Sequence, residues 1–208
     1  MPFIYLHYNI APHILEAHAK TIQNYTIKFP VKHVEMKYFP KGASRSDLSE
    51  QNIVSGPLPT KIIIGLVNSE AFKGKITKNP FNFEPFGATS VVLRQNGLPI
   101  PYEELSLDYT HNRYQDGYFS LLQACGSIFS NNSPGISYEN YKNGYTLYGF
   151  DLGVSKEDVC HDLIREGKIS LNIKLSAAST HGITIVVYLE YNNVIEIDKE
   201  GHVHKNSD

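Results

Sequence analysis

Tryptophan is absent from this 208-residue chain, cysteine occurs only twice, and no long hydrophobic run is present. A helix that spans a bilayer needs about 20 consecutive apolar residues, so the sequence predicts no such span. A secreted disulfide scaffold carries more cysteines than Cys125 and Cys160. The N-terminus also lacks the basic region and the apolar core of a signal peptide. We therefore expect two reduced thiols in a protein that is not secreted.

An excess of charge of one sign is also absent. The chain has 19 Lys and Arg residues against 21 Asp and Glu residues, for a formal net charge of −2. These charges are spread along the sequence and form no basic stripe that could neutralise phosphates, so the composition disfavours nucleic-acid binding. Neither a glycine-rich phosphate loop nor an internal repeat is visible.

The residues that are plentiful favour β-structure. There are 14 Tyr and 10 Phe residues together with many β-branched residues, a composition typical of an all-β domain with few helices. Alternating or short apolar runs predict strands at 3–8, 31–39, 62–67, 90–93, 145–152, 168–176 and 183–191, with 194–197 extending or bending the last. Helices are predicted over Pro12–Asn24, over 116–129, and from Ser155 to Gly167.

Three stretches carry a more specific prediction. Residues 31–39 predict a half-buried strand with Val34, Met36 and Tyr38 on one side and His33, Glu35 and Lys37 on the other. Residues 62–67 are apolar on both faces, which indicates a strand covered on both sides within a sandwich or an oligomer. Asn96-Gly97 predicts a hairpin turn, and Pro99 and Pro101 put its return arm at a sheet edge. Residues 40–60 are predicted to form a polar loop.

These elements predict an all-β fold, an antiparallel eight-stranded jelly-roll sandwich with helices in the connections. The strands do not alternate regularly with helices, so a doubly wound sheet is not expected. We expect an N-terminal strand/helix segment at 1–30, a single jelly-roll domain at 31–200 and a frayed polar tail at 201–208.

The nine histidines do not predict a metal site. His7, His13 and His18 cluster in sequence, but two ligands on one helical face are four residues apart, and His13 and His18 are five apart. His202 and His204 lie on the polar tail, where only adventitious metal binding is expected. We predict no metal site and no cofactor.

A catalytic nucleophile could combine Cys125 with His111 as the base and Asp108 as the group that orients the base. However, Cys125 falls on the apolar stripe of the predicted helix 116–129, where a thiol behaves as a small hydrophobe. Cys160 precedes His161, and adjacent residues on a helix do not face each other.

The paired carboxylates do not indicate catalysis either. Glu103-Glu104 is predicted in a loop, and Glu157-Asp158 is predicted in the first turn of a helix, where the helix dipole favours negative charge. We therefore predict no catalytic residue.

Four tyrosines close together in sequence, Tyr138, Tyr141, Tyr145 and Tyr148, admit two interpretations. They could form a sugar-binding platform, because jelly rolls also serve as lectins. They could equally be core and subunit-interface residues, where tyrosine is enriched. The absence of tryptophan favours the second interpretation.

Several segments in the same order resemble the hexon-like major capsid proteins of Polinton/Maverick elements and adintoviruses. They are Leu58–Val67, Ala71-Phe72, Asn79–Phe83, Gly135–Ser137, Asn143–Leu152 and Val187–Asp198. The resemblance covers roughly residues 30–200 and implies a jelly roll that assembles as a trimeric capsomer. Members of that family carry two jelly rolls per chain, and this sequence resembles the second. The family has no catalytic residues to transfer. A chain with one jelly roll could be a fragment, a split-gene product or a host-retained remnant.

We therefore expect a structural capsid-type building block that self-associates, with a trimer favoured, or pairs with another jelly-roll subunit. Its expected location is the virion, or the cytoplasm or nucleus during assembly. A lectin-like or ligand-binding jelly-roll module is the alternative. An enzyme on a cupin-like barrel is disfavoured, because the predicted strands 145–152, 168–176 and 183–191 contain no histidine to hold a metal.

Overall fold

A computed structural model of the chain describes residues 10–128, 133–153 and 165–205. Its helices are α1 (Pro12–Asn24), α2 (Ser69–Phe72), α3 (Gln115–Ala124) and α4 (Tyr138–Tyr141). Its strands are β1 (Ile27–Lys41), β2 (Asp47–Pro57), β3 (Lys61–Asn68), β4 (Ala88–Gln95), β5 (Leu98–Ser106), β6 (Leu147–Asp151), β7 (Glu166–Leu175), β8 (Ile183–Ile197) and β9 (Val203–Lys205).

These residues divide into two compact units. The larger unit comprises the described part of 33–192 and contains most of the strands. The smaller unit combines the described residues up to Lys32 with those from Asn193 onward, so it contains α1, the start of β1, the end of β8, and β9. The predicted division into 1–30, 31–200 and 201–208 stays a prediction.

Two antiparallel sheets carry the strand order of a jelly roll. One sheet has the order β1-β8-β3-β6, with β9 added to β8, and the other has the order β2-β7-β4-β5. Each connection between consecutive strands from β1 to β8 crosses from one sheet to the other, except the β4–β5 hairpin. Each sheet therefore contains strands from the first half and from the second half of the chain. The predicted all-β jelly-roll sandwich is therefore confirmed. Strands β1 to β8 form the sandwich, and β9 extends one sheet.

Strand β7 shows how the core is built. Ile169, Leu171, Ile173 and Leu175 are all buried, as their alternation predicts, and they belong to one cluster with buried residues of the other sheet. The members of that cluster in the other sheet include Ile62, Ile64, Leu66, Ile185, Val187 and Leu189. Burial of such side chains stabilises the fold by about 1.5–3 kcal/mol each relative to leaving them exposed.

The second face of β3 is covered from within the chain. A Cβ atom added to Gly65 would lie 2.5 Å from Cδ1 of Phe83. The Phe83 ring therefore packs directly on the backbone of β3 at Gly65, which has no side chain. The backbone and side chains of α3 cover Gly149 of the neighbouring strand β6 in the same way. The prediction of a strand covered on both sides is correct, and this cover does not require a second subunit.

Three local predictions are corrected. The predicted polar loop 40–60 contains β2, whose alternation is hidden by an irregularity between Glu50 and Val54. The prediction of a frayed tail is wrong for β9, which pairs with β8 through Ile197 and Val203.

The third correction concerns the predicted helix 116–129, whose helical turns end at Ala124. Gly126 has a φ of +71°, and the amide of Ser127 donates to the carbonyl of Leu122 at 2.9 Å, as in a Schellman motif. The predicted strand 3–8 lies outside the described residues. So does nearly all of the helix predicted from Ser155, and its expected last residue, Gly167, lies in β7.

Candidate assembly surface

Strand β1 turns its apolar side chains away from the core. Val34, Met36 and Tyr38 are 44%, 60% and 62% exposed, although a half-buried strand normally places such residues inward. The alternate positions His33, Glu35 and Lys37 are the partly buried ones. The alternation predicted from the sequence is therefore present, but its apolar side faces outward.

The inward side of β1 explains this inversion, because β1 is an edge strand of its sheet. The Lys37 ammonium donates to the carbonyl oxygen of Ile53 at 3.0 Å. The Lys41 ammonium donates to the carbonyl oxygen of Ser49 at 2.6 Å and pairs with Glu50 at 2.9 Å. Long cationic side chains can bury their stems and still bond to β2 of the facing sheet at the rim of a sandwich. Inward-pointing charges on an edge strand also disfavour uncontrolled strand addition.

The outward residues continue onto α2. The rings of Tyr38 and Phe72 are 5.1 Å apart at an angle of 43°, and Phe72 is 37% exposed. We call Val34, Met36, Tyr38 and Phe72 the β1 apolar face. Singly exposed apolar residues are common on proteins, whereas a contiguous group of this kind is a candidate interaction surface.

The tyrosines singled out in the sequence lie mostly inside the protein. Tyr141 and Tyr148 are fully buried, whereas Tyr145 is 52% exposed. The Tyr114 ring stacks on Tyr138 at 4.5 Å and on Tyr141 at 5.9 Å. Two of the four rings therefore belong to the core, so they are not accessible for stacking on a bound sugar.

The hydroxyl groups of this tyrosine cluster are also paired inside the protein. Tyr109 and Tyr148 share a hydroxyl hydrogen bond of 3.0 Å, and the Tyr141 hydroxyl donates to the carbonyl of Leu147 at 2.8 Å. Burial raises the pKa of Tyr109 to about 12 and raises the pKa of Tyr141 and Tyr148 well above the usual value. All three hydroxyl groups are therefore neutral at physiological pH.

Two members of the candidate nucleophile group, Asp108 and His111, are in contact. Asp108 Oδ2 lies 2.7 Å from His111 Nδ1 and 2.7 Å from the Arg113 guanidinium. The hydrogen bond from Arg113 and then those from His111 hold the pKa of the Asp108 carboxyl well below its usual range. Burial raises the pKa of the half-buried Cys125 thiol, with Lys61 opposing the shift. A thiol with a raised pKa is a poor nucleophile, which agrees with the core assignment of Cys125.

The remaining sequence candidates fall into separate places. His13 and His18 are exposed on α1, while His7, Cys160, His161 and the pair Glu157-Asp158 lie outside the described residues. Glu103 and Glu104 lie in β5 and not in a loop, and Glu104 accepts a hydrogen bond of 2.7 Å from Ser90. As an edge strand, β5 tolerates Pro99 and Pro101 and continues beyond them to Ser106, so it includes both glutamates.

A polar cleft of about 310 Å³ lies beside α2 and is lined by Asn68, Ala71, Thr77, Lys78, Asn79, Asn82 and Glu84. The Lys78 ammonium is 2.9 Å from a Glu70 carboxylate oxygen, so this cation is paired with a carboxylate. Neither histidine nor cysteine occurs among these lining residues. In the described part of the chain, no helix has the length and hydropathy needed to cross a membrane.

Comparison with known proteins identifies one sequence relative and several structural neighbours. No protein-family model matches the chain. The uncharacterized protein F54H12.2 of Caenorhabditis elegans is 29% identical over 188 residues, which cover 88% of this chain and 45% of the relative. The chain therefore spans less than half the length of this relative.

Three of the structural neighbours come from viruses. A quasi-atomic model of the PBCV-1 virus capsid matches with a TM-score of 0.54 at 10% identity, covering 93% of this chain and 54% of that chain. PBCV-1 VP54, as fitted into a reconstruction of the virophage Sputnik, matches with a TM-score of 0.54 at 11% identity, over 89% of this chain and 52% of that one. A 3.5 Å cryo-EM structure of Sputnik itself matches with a TM-score of 0.52 at 10% identity, over 86% and 39%.

At such low identity these matches show the fold. The chain is a jelly-roll sandwich of the kind found in viral capsid proteins.

Proposed function

We propose that this chain is a capsid-type building block that associates through the β1 apolar face, as a homotrimer or with another jelly-roll subunit. The observation that carries the proposal is the outward orientation of Val34, Met36 and Tyr38 on a strand whose charged residues point inward. A surface kept apolar on an edge strand, within a capsid-type fold, favours a subunit interface over a ligand site.

The proposed lineage is that of the Polinton/Maverick and adintovirus capsid proteins. It rests on the segments Leu58–Val67, Asn143–Leu152 and Val187–Asp198, which contribute to β3, β6 and β8 of one sheet. The match to about half of the PBCV-1 chains supports correspondence to one of two jelly rolls. The proposed location follows from this role: the virion, or the cytoplasm or nucleus during assembly.

The size of the β1 apolar face predicts a weak contact between isolated subunits. Burying the exposed half of four such side chains stabilises the contact by roughly 3–6 kcal/mol. Association costs about 4–15 kcal/mol in lost translational and rotational freedom. We therefore expect association only at high protein concentration, or when several contacts form together in a closed ring or lattice.

Light scattering on a sizing column, at protein concentrations from low to high micromolar, tests the proposal. We expect the apparent mass to rise with concentration toward a trimer, and Met36→Lys to return it to the monomer, because a buried unpaired ammonium is costly. Leu98→Lys is the matched control, since Leu98 is 72% exposed at the β4–β5 turn and lies outside the β1 apolar face.

Two results would contradict self-association through this face. One is a wild-type protein that stays monomeric at high micromolar concentration. The other is a Met36→Lys variant that associates as the wild type does while Leu98→Lys does not. Circular dichroism on each variant separates loss of association from loss of folding.

A further inference from the structure

The hairpin formed by β8 and β9 brings acidic and imidazole side chains to one face. In its register, Glu196 is opposite His204 and Ile197 is opposite Val203, and the Asp198 amide donates to the His202 carbonyl at 3.1 Å. Since alternate residues of a strand share a face, Asp198, His202 and His204 project from the same side. Gly201, with a φ of +81°, allows the tight return that brings them together.

The Asp198 carboxylate is held in a fixed orientation. Its Oδ1 atom accepts hydrogen bonds of 2.9 Å from the backbone amides of both Glu200 and His202. Its Oδ2 atom is thereby directed at the imidazoles, 2.8 Å from Nε2 of His204 and 3.4 Å from Nδ1 of His202. Orientation of a ligand by such outer hydrogen bonds is characteristic of metal sites.

The spacing of these atoms fits a small tetrahedral ion. Zinc–nitrogen and zinc–oxygen bonds of about 2.0–2.1 Å put neighbouring ligand atoms about 3.3 Å apart. The distance of 3.4 Å from Asp198 Oδ2 to His202 Nδ1 is close to that value, and Glu200 Oε2 lies 3.7 Å from the same nitrogen. The 2.8 Å contact from Asp198 Oδ2 to His204 Nε2 is a hydrogen bond, which a bound ion would replace. The ligand atoms of Asp198, Glu200 and His202 all lie within 4.8 Å of one another.

We infer that Asp198, Glu200 and His202 bind a divalent transition-metal ion of the zinc class, and that His204, whose Nε2 atom contacts Asp198 Oδ2, turns in as the fourth ligand. Two imidazoles with two carboxylates suit Zn²⁺, whereas Ca²⁺ and Mg²⁺ prefer ligand sets made only of oxygen. Glu196 is not part of the set, because its carboxylate pairs with the Lys28 ammonium at 2.8 Å. The site does not depend on the proposed capsid function.

The imidazoles of the hairpin are accessible from solvent. His202 and His204 are 69% and 61% exposed, so an ion can reach them from solvent. A bound ion would link β9 to the loop between β8 and β9. Because only the folded hairpin forms the site, the free energy of binding would stabilise the hairpin.

Isothermal titration of the 208-residue chain with Zn²⁺ at pH 7.5 tests the assignment. We expect one equivalent to bind, no comparable binding of Mg²⁺, and loss of at least tenfold in affinity for H202A/H204A. E200Q, which changes only an exposed side chain, is expected to weaken binding less. H13A/H18A is the matched control, because both histidines are exposed on α1, and it is expected to bind as the wild type does.

Amide hydrogen exchange supplies a second measurement. With Zn²⁺ bound, exchange should slow for residues 196–204 and remain unchanged in β7 of the larger unit. The assignment is overturned if the wild type binds no stoichiometric zinc, if H202A/H204A binds as tightly as H13A/H18A, or if protection appears elsewhere and not in the hairpin.

Discussion

A Cβ atom placed on Gly149 would lie 2.5 Å from the Cβ of Ala124. It would also lie 2.9 Å from the Ser120 carbonyl oxygen and 3.0 Å from the Leu121 Cα. Helix α3 therefore packs directly on the backbone of β6, and it does so because position 149 has no side chain. This contact covers the second face of the sheet beside β3.

We predict that Gly149→Ala destabilises the protein by about 1–3 kcal/mol, because the added methyl group overpacks a contact made with backbone atoms. The shift in the urea unfolding midpoint measures the change, with tyrosine fluorescence as the probe in a chain that lacks tryptophan. Gly42→Ala is the control, since no atom lies within 4 Å of the added Cβ there. Equal stability of the two variants would show that α3 does not rest on β6 in this way.

A second prediction concerns alkaline pH. Burial raises the pKa of Tyr109 to about 12 and holds the pKa of Tyr148 well above its usual value, whereas tyrosines in the unfolded chain ionise near 10. Between these values the unfolded state binds fewer protons than the folded state, so the free energy of unfolding falls as pH rises. Each such tyrosine lowers it by up to about 1.4 kcal/mol per pH unit. Urea titrations from pH 8 to 11.5 should show a plateau followed by a steep loss.

Tyr148→Phe makes the alkaline prediction specific. It removes the hydroxyl partner of Tyr109, 3.0 Å away, and should cost about 1 kcal/mol at pH 8. It also removes one ionising group, so the loss of stability above pH 10 should become less steep. Tyr145→Phe, at a residue that is 52% exposed, should leave both properties as in the wild type. An unchanged alkaline slope in Tyr148→Phe would contradict this account.

The elements that could be predicted from the sequence are those determined by local chemistry. The alternation of 168–176 predicts β7 almost to the residue, because each inward position is apolar. Asn96-Gly97 predicts the β4–β5 hairpin, and both residues have the positive φ that this turn needs. Strand β2 was missed because an irregularity between Glu50 and Val54 breaks the period on which the prediction depends.

The candidate surfaces could not be predicted, because they depend on tertiary position. The alternation of β1 is visible in sequence, but only the strand order puts β1 at an edge where Lys37 and Lys41 bond to β2. The histidines at 202 and 204 look like a polar tail until β9 pairs with β8. The sequence Asp-Lys-Glu-Gly at 198–201 could have indicated the β8–β9 hairpin, because it contains turn residues and is followed by alternating apolar and polar residues.

The last prediction concerns the end of α3, where Gly126 adopts a φ of +71°. We expect Gly126→Ala to destabilise the protein by about 1 kcal/mol, because an alanine resists the left-handed backbone conformation that closes this helix. A clash is not the cause, since no atom lies within 4 Å of a Cβ added there. Gly126→Asn should cost less, because asparagine tolerates that conformation. Urea unfolding of the two variants, with Gly42→Ala as the control, measures the difference. If the alanine variant is as stable as the asparagine variant, this φ does not limit the choice of residue at position 126.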